Sequence, residues 1–364
     1  MPMNVDTRGL DEGGDEPTRR IAFQPSFEPI SSFEPPSLKE SPAIRSSNPS
    51  KVELQVQPGK PNGTWKLSSV PVLPKYHPIE QTAVFVPHTP ASEVSLRISD
   101  VLRERSIEAC FDDAKAKASC VTADGVDFRV RLYNGRGEFG HGIIVEVQRR
   151  FGTSTTFYHD TKAILDAAEG KIPPPPSALS SGALPMVEDE CDESTVSPAS
   201  SLGMVSEMLN NPGQDTTYLA LQMLVSLTDS TKMGTRTAEA ISSELLRLND
   251  SNEVAGNVFS LLMDESSDGD VYKLRTLTFQ AVANAFQAVN GDVSSVLKEQ
   301  LVDLVSGALR QAEKSPRIAY QAARMAIYFR NSELQSPLKN ALEVGKMRHS
   351  ALERQAQLCL GNSS

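Results

Sequence analysis

The sequence predicts a multidomain chain. A disordered N-terminal tail comes first, then a small α+β domain with an antiparallel sheet, then an all-α half forming a right-handed helical-repeat solenoid. Three observations carry this. Residues 1–82 hold 13 of the 24 prolines, and their apolar residues follow no period. Between 83 and 170 runs of alternating apolar and polar residues appear, the period of a half-exposed strand. From 200 to 364 the apolar period is helical throughout.

The tail, 1–82, cannot bury enough apolar surface to offset the entropy of ordering it. It carries a tandem echo, Ser26-Phe27-Glu28-Pro29 and Ser32-Phe33-Glu34-Pro35. Two readings stay open: low-complexity drift, or a bivalent linear motif in which each Phe fills a pocket and each Pro keeps the chain extended.

In the α+β domain, 83–170, Ala91 to Arg105 reads as an amphipathic helix. Ser92 stands at its N-cap, and Val94, Ile98, Val101 and Leu102 share one side. Val126, Phe128, Val130 and Leu132 alternate with Asp127, Arg129, Arg131 and Tyr133 as a strand. Gly142 to Phe151 is the next, reached through a glycine-rich turn. Thr153 to Tyr158 is expected to add another strand, and Asp160 to Ala168 a closing helix. The expectation is an antiparallel sheet of three to five strands flanked by two helices.

A linker, 171–199, holds the proline run Pro173 to Pro176 and the acidic run Glu188 to Glu193. The helical half, 200–364, divides into candidate helices 202–210, 215–229, 236–249, 252–265, 271–289, 292–313, 316–330, 333–344 and 346–359. Three segments align on a glutamine: Leu221-Gln222 to Leu227, Phe279-Gln280 to Ala285, and Tyr320-Gln321 to Ala326. Their spacings, 58 and 41 residues, are those of a helical repeat whose first copy has an extra helix. A single helix pair cannot bury its apolar face, whereas a stack of them can.

The segment Ala281-Val282-Ala283-Asn284-Ala285-Phe286 resembles the A-L-x-N-L-x centre of the groove-lining helix in armadillo repeats. HEAT-type stacking fits equally. The resemblance places the family's ladder asparagine at Asn284, while Ser226 and Met325 occupy the equivalent places. It implies partner contacts along Gln222, Ser226, Gln280, Asn284, Gln287 and Gln321. The helical wheel agrees, since only Gln280, Asn284 and Gln287 interrupt an otherwise apolar helix. These amides either face a partner or hydrogen-bond to adjacent turns.

One motif points elsewhere. Gly135 to Gly142 satisfies G-x-G-x-x-G between two strands, as in the phosphate-covering loop of a protein kinase. The lysine, the catalytic loop and the magnesium-binding carboxylate of that machinery do not follow in the sequence. The dinucleotide version needs a helix after the glycines, where Ile143 to Val147 reads as a strand. A hairpin turn is therefore expected, with no cofactor and no catalytic residue.

The α+β domain is expected to gather Lys115, Lys117, Arg129, Arg131, Arg149 and Arg150 on one face. Two readings remain: a sheet edge protected by charge, or contact with acidic protein or anionic lipid. The order of elements resembles the kinase-associated C-terminal domain fold, which implies a lipid- or kinase-contacting role.

The chain as a whole carries a formal charge of −10, which disfavours nucleic acid as a partner. Its four cysteines form no C-x-x-C pair, and Met1 to Leu10 has no apolar core. A reducing, cytoplasmic setting is expected, with the nucleus left open and neither signal peptide nor transmembrane segment. Ser41, Thr89 and Ser197 precede proline and are the expected phosphosites, whereas Ser315 and Ser336 are expected to cap helices. Together these features predict a non-enzymatic scaffold or adaptor that binds proteins through its helical surface and tail motifs.

Overall fold

A computed structural model describes residues 65–76, 81–172, 198–211, 213–247, 253–264, 269–329 and 331–361. The sheet half runs β1 (Ala83–Pro87), α1 (Ala91–Glu104), β2 (Glu108–Asp112), β3 (Lys117–Val121), β4 (Asp127–Asn134), β5 (Gly142–Phe151) and α2 (Ser154–Ala168). All strand pairs are antiparallel, in the order β1-β5-β4-β3-β2. Alternation on β4 sends Phe128, Val130 and Leu132 inward, where they are fully buried. They pack against Val94, Ile98 and Leu102 of α1 and Phe157 and Ile164 of α2. The opposite face is half-exposed over β3 and most of β4. Over β1 and β5 it is closed by Leu73, Tyr133, Ile144, Phe85 and Phe139.

Four local expectations change. The packed domain begins at Trp65 and not at 83. Trp65 is buried, stacks on Phe111, and its backbone N–H donates to Ser99 Oγ at 3.1 Å. Leu73 and Val72 then follow the end of β4 through a bridge to Asn134. This proline-rich stretch shows no period because it crosses several elements and pairs with none for long. Second, Thr153 to Tyr158 is no strand, because α2 already begins at Ser154. Third, α1 starts one residue before Ser92, with Pro90 at its N-cap. Fourth, Ser315 and Ser336 make no capping bond: Ser315 stands at the start of α10 without one, and Ser336 lies inside α11.

The helical half comprises α3 (Pro198–Leu209), α4 (Gln214–Leu227), α5 (Ser230–Met233), α6 (Thr235–Leu245), α7 (Glu253–Met263) and α8 (Gly269–Ala288). It continues with α9 (Ser295–Arg310), α10 (Pro316–Ala326), α11 (Gln335–Arg348) and α12 (Ser350–Gly361). The three glutamine-aligned segments fall on α4, α8 and α10. These helices pack in succession with α12, and α6, α9 and α11 pack against α8, α10 and α12 in turn. Phe279, Ala281, Val282, Ala283, Ala285 and Phe286 are all fully buried on α8, as expected of a helix sandwiched between neighbours. Among the described residues no helix is long and apolar enough to cross a membrane.

Both halves belong to one compact unit. The first turns of α4, α8, α10 and α12 meet the lower edge of the sheet. The Tyr218 ring lies 6.2 Å from Phe151 in edge contact, and Arg317 Nη2 donates to the Ala123 carbonyl at 3.2 Å. The Ala351 N–H donates to Ser106 Oγ at 2.8 Å.

Candidate functional site

The amides expected to face a partner divide into two groups. Asn284 is buried, and its Nδ2 donates to the Val225 carbonyl at 3.2 Å. That carbonyl lies in the last turn of α4, where helical partners run out, so Asn284 ties α8 to α4. Ser226 Oγ donates to the carbonyl of Gln222 one turn back at 3.1 Å, and Gln222 Nε2 donates to the Tyr218 hydroxyl at 3.1 Å. Gln222 and Ser226 thus serve neighbouring turns of α4, and Asn284 serves the contact between helices.

Gln287 and Gln321 behave differently. Arg324 bridges them: Nη1 donates to Gln321 Oε1 at 2.7 Å and Nη2 to Gln287 Oε1 at 2.6 Å. The guanidinium holds both amide oxygens; Gln287 is exposed and keeps its NH2 group for a further acceptor, whereas Gln321 is itself buried. Gln280 continues the same stripe, half-buried two turns before Gln287. Arg324 was absent from the sequence-based set. Its signal was a cation three residues from Gln321 on a helix rich in apolar residues.

The six cations do not share one face. Lys115 sits in the β2–β3 turn, 3.6 Å from Asp112. Arg149 turns away to bond the Gly152 carbonyl at 3.0 Å and Ser154 Oγ at 2.7 Å. Plain alternation sets this, because Arg149 pairs with the inward-facing Phe128 and follows Val145 and Val147 on the same side of β5. Lys117, Arg129 and Arg131 remain on the half-exposed face, where Lys117 pairs with Arg131 in register. Burial, then the charges of Arg150 and Arg131, lower the Arg129 pKa, so Arg150 belongs to the same cluster. Glu146 stands opposite Arg131 across β4 and β5, which tempers the cluster at that end.

The glycine loop closes on itself as a hairpin. The N–H groups of Gly135, Phe139 and Gly140 donate to the carbonyls of Gly142, Arg136 and Gly137. Those donors are engaged inside the turn.

Thr89 is half-buried between β1 and α1, its hydroxyl bonded to the Pro87 carbonyl at 3.2 Å. The short link that carries it is tied at both ends by secondary structure. Ser41 and Ser197, the tandem Phe motif and the acidic run lie outside the described residues.

Sequence reasoning missed a polar cluster where the halves meet. Burial raises the Glu108 pKa, against the charges of Arg317 and Arg348 and the bond from Tyr272. The Tyr272 pKa is pushed well up, first by burial and then by the Glu108 charge. Burial, with Arg317 nearby, lowers His349 to about 4. The His349 Nδ1 accepts the Leu352 N–H at 3.1 Å, and its Nε2 is buried with no bond among the described residues. No spacing in the sequence signals a cluster whose members come from strands and helices this far apart.

No family model, no curated protein and no solved structure matches the chain.

Proposed function

We propose that this chain is a non-enzymatic scaffold or adaptor whose helical half, of armadillo or HEAT type, binds a partner along α8 and α10. The observation that carries the reading is the Gln287–Arg324–Gln321 bridge. A surface that needed only solvation would not hold two amides in a fixed orientation from different helices. Here the guanidinium, anchored on the buried Gln321, leaves the exposed Gln287 NH2 group committed as a donor, which suits a carbonyl of an extended chain. Succession of α4, α8, α10 and α12 supports the repeat assignment, and the buried Asn284 bond supports stacking between repeats.

The test is a pull-down with the full chain as bait, comparing wild type with Arg324→Glu and Gln287→Glu. Loss of the same captured proteins in both variants, with melting temperature unchanged, supports the reading. An unchanged set overturns it.

A second reading, a peripheral-membrane or kinase-regulatory role for the sheet half, draws on Arg129, Arg131 and Arg150. Sedimentation with phosphatidylserine vesicles, lost on Arg129→Gln with Arg131→Gln, would favour it over the first. A nucleotide-dependent rise in melting temperature would instead favour an enzyme.

A further inference from the structure

We infer that the groove between β1 and α2 is a separate docking site, which takes an extended segment of a partner protein as a sixth strand of the sheet. This goes beyond the helical-surface reading and stands on different residues.

β1 is the outermost strand, and among the described residues it pairs only with β5. The Val147 N–H bonds the Thr82 carbonyl, and the His88 N–H bonds the His141 carbonyl. Antiparallel alternation then assigns Val84 and Val86 to the ladder as well, and turns the N–H and C=O groups of Ala83 and Phe85 outward. Such an edge is a template for another strand.

Beside this edge lies a groove of about 280 Å³. Val84 and Leu165 give it an apolar lining, and Lys162, Asp166 and Glu169 lie along its α2 side. Thr161, also in the lining, is 3% exposed, and its hydroxyl has no hydrogen-bond partner among the described residues. A helical threonine ordinarily bonds back to its own helix, so an unpaired buried hydroxyl here marks a site completed by something else. An edge strand beside an apolar slot is the arrangement used in strand addition: the main chain pairs with the edge and alternate side chains fill the slot. Charge narrows the occupant further. Lys171 already holds Glu169 at 2.6 Å, which leaves Asp166 as the carboxylate to receive a basic residue beside the apolar one.

The test pans a displayed library of random dodecapeptides against the full chain and measures the enriched peptides by fluorescence anisotropy. The expected binders alternate β-branched or aromatic residues with polar ones and carry Lys or Arg toward one end. They should slow amide exchange at Ala83 and Phe85. Ala83→Pro removes one outward N–H without breaking the ladder to β5, and should weaken binding by about tenfold or more. Asp166→Lys, which does not touch the strand, should selectively weaken the basic peptides and settles the matter if Ala83→Pro misfolds. Three results would overturn the proposal: undiminished binding to both variants, no enriched peptide that protects Ala83 and Phe85, or a dimer of the chain abolished by Ala83→Pro.

Discussion

Tyr272, in the first turn of α8, donates its hydroxyl to both carboxylate oxygens of Glu108 on β2, at 2.9 and 3.2 Å. The two residues are 164 positions apart and belong to different halves. The bond places a carboxylate at the start of a helix, where the macrodipole favours negative charge, with Arg317 and Arg348 nearby. The sheet half and the helical half are thereby docked and not merely tethered.

Tyr272→Phe should leave the Glu108 carboxylate short of its donor and destabilise the protein by about 1–3 kcal/mol. Urea denaturation of the full chain measures this. Glu108→Gln with Tyr272→Phe should cost less than the sum of the single changes, because a neutral amide tolerates the loss better.

Stability should fall as pH drops through the histidine range. The His349 pKa is lowered in the fold to about 4, against an unfolded value of roughly 6.5. Its contribution is therefore complete above the unfolded pKa. It is lost progressively down to pH 4, because the unfolded state takes up a proton that the fold refuses. The full loss is roughly 3 kcal/mol. Glu108, whose pKa is raised, acts with the opposite sign below neutrality and offsets part of it. His349→Gln should flatten the slope of denaturation free energy between pH 6.5 and 4 by about this amount.

Ala281→Glu should cost several kcal/mol, about the limit for a single change, since Ala281 is fully buried in the core around α8. A melting temperature within about a degree of wild type would contradict that placement.

Asn284→Ala tests whether the ladder position serves the fold. Losing the bond to the Val225 carbonyl should destabilise by about 1–2 kcal/mol. An unchanged denaturation midpoint would return Asn284 to the partner-facing set.

In the glycine loop the cost should depend on position. Gly137 has φ +59° and open space around its missing side chain, so Gly137→Ala costs about 1 kcal/mol from backbone strain. Gly140 sits at φ −60° and pays no such strain. Gly135→Ala should be far worse, because its methyl would meet the main chain of Phe139. Thermal denaturation of the three variants ranks them.

The sequence by itself determined the division into a sheet half and a helical half, and the register of most helices. Those features follow from local periodicity: Phe128, Val130 and Leu132 must face one way on a strand, and Ala281, Val282 and Ala285 must be covered on a helix. It also placed the hairpin at Gly135 to Gly142, where φ and close approach demand glycine. Only the tertiary structure decided that Trp65 and Leu73 belong to the sheet half, because an irregular segment that crosses elements leaves no period. Only it removed Lys115 from the cationic face, by placing it in the β2–β3 turn, whereas Arg149 leaves that face by the alternation that any two successive strand residues obey. Only it joined Arg324 to Gln287 and Glu108 to Tyr272. Such pairs are set by how helices and strands dock, and a docking geometry depends on the whole packed surface and not on neighbours along the chain.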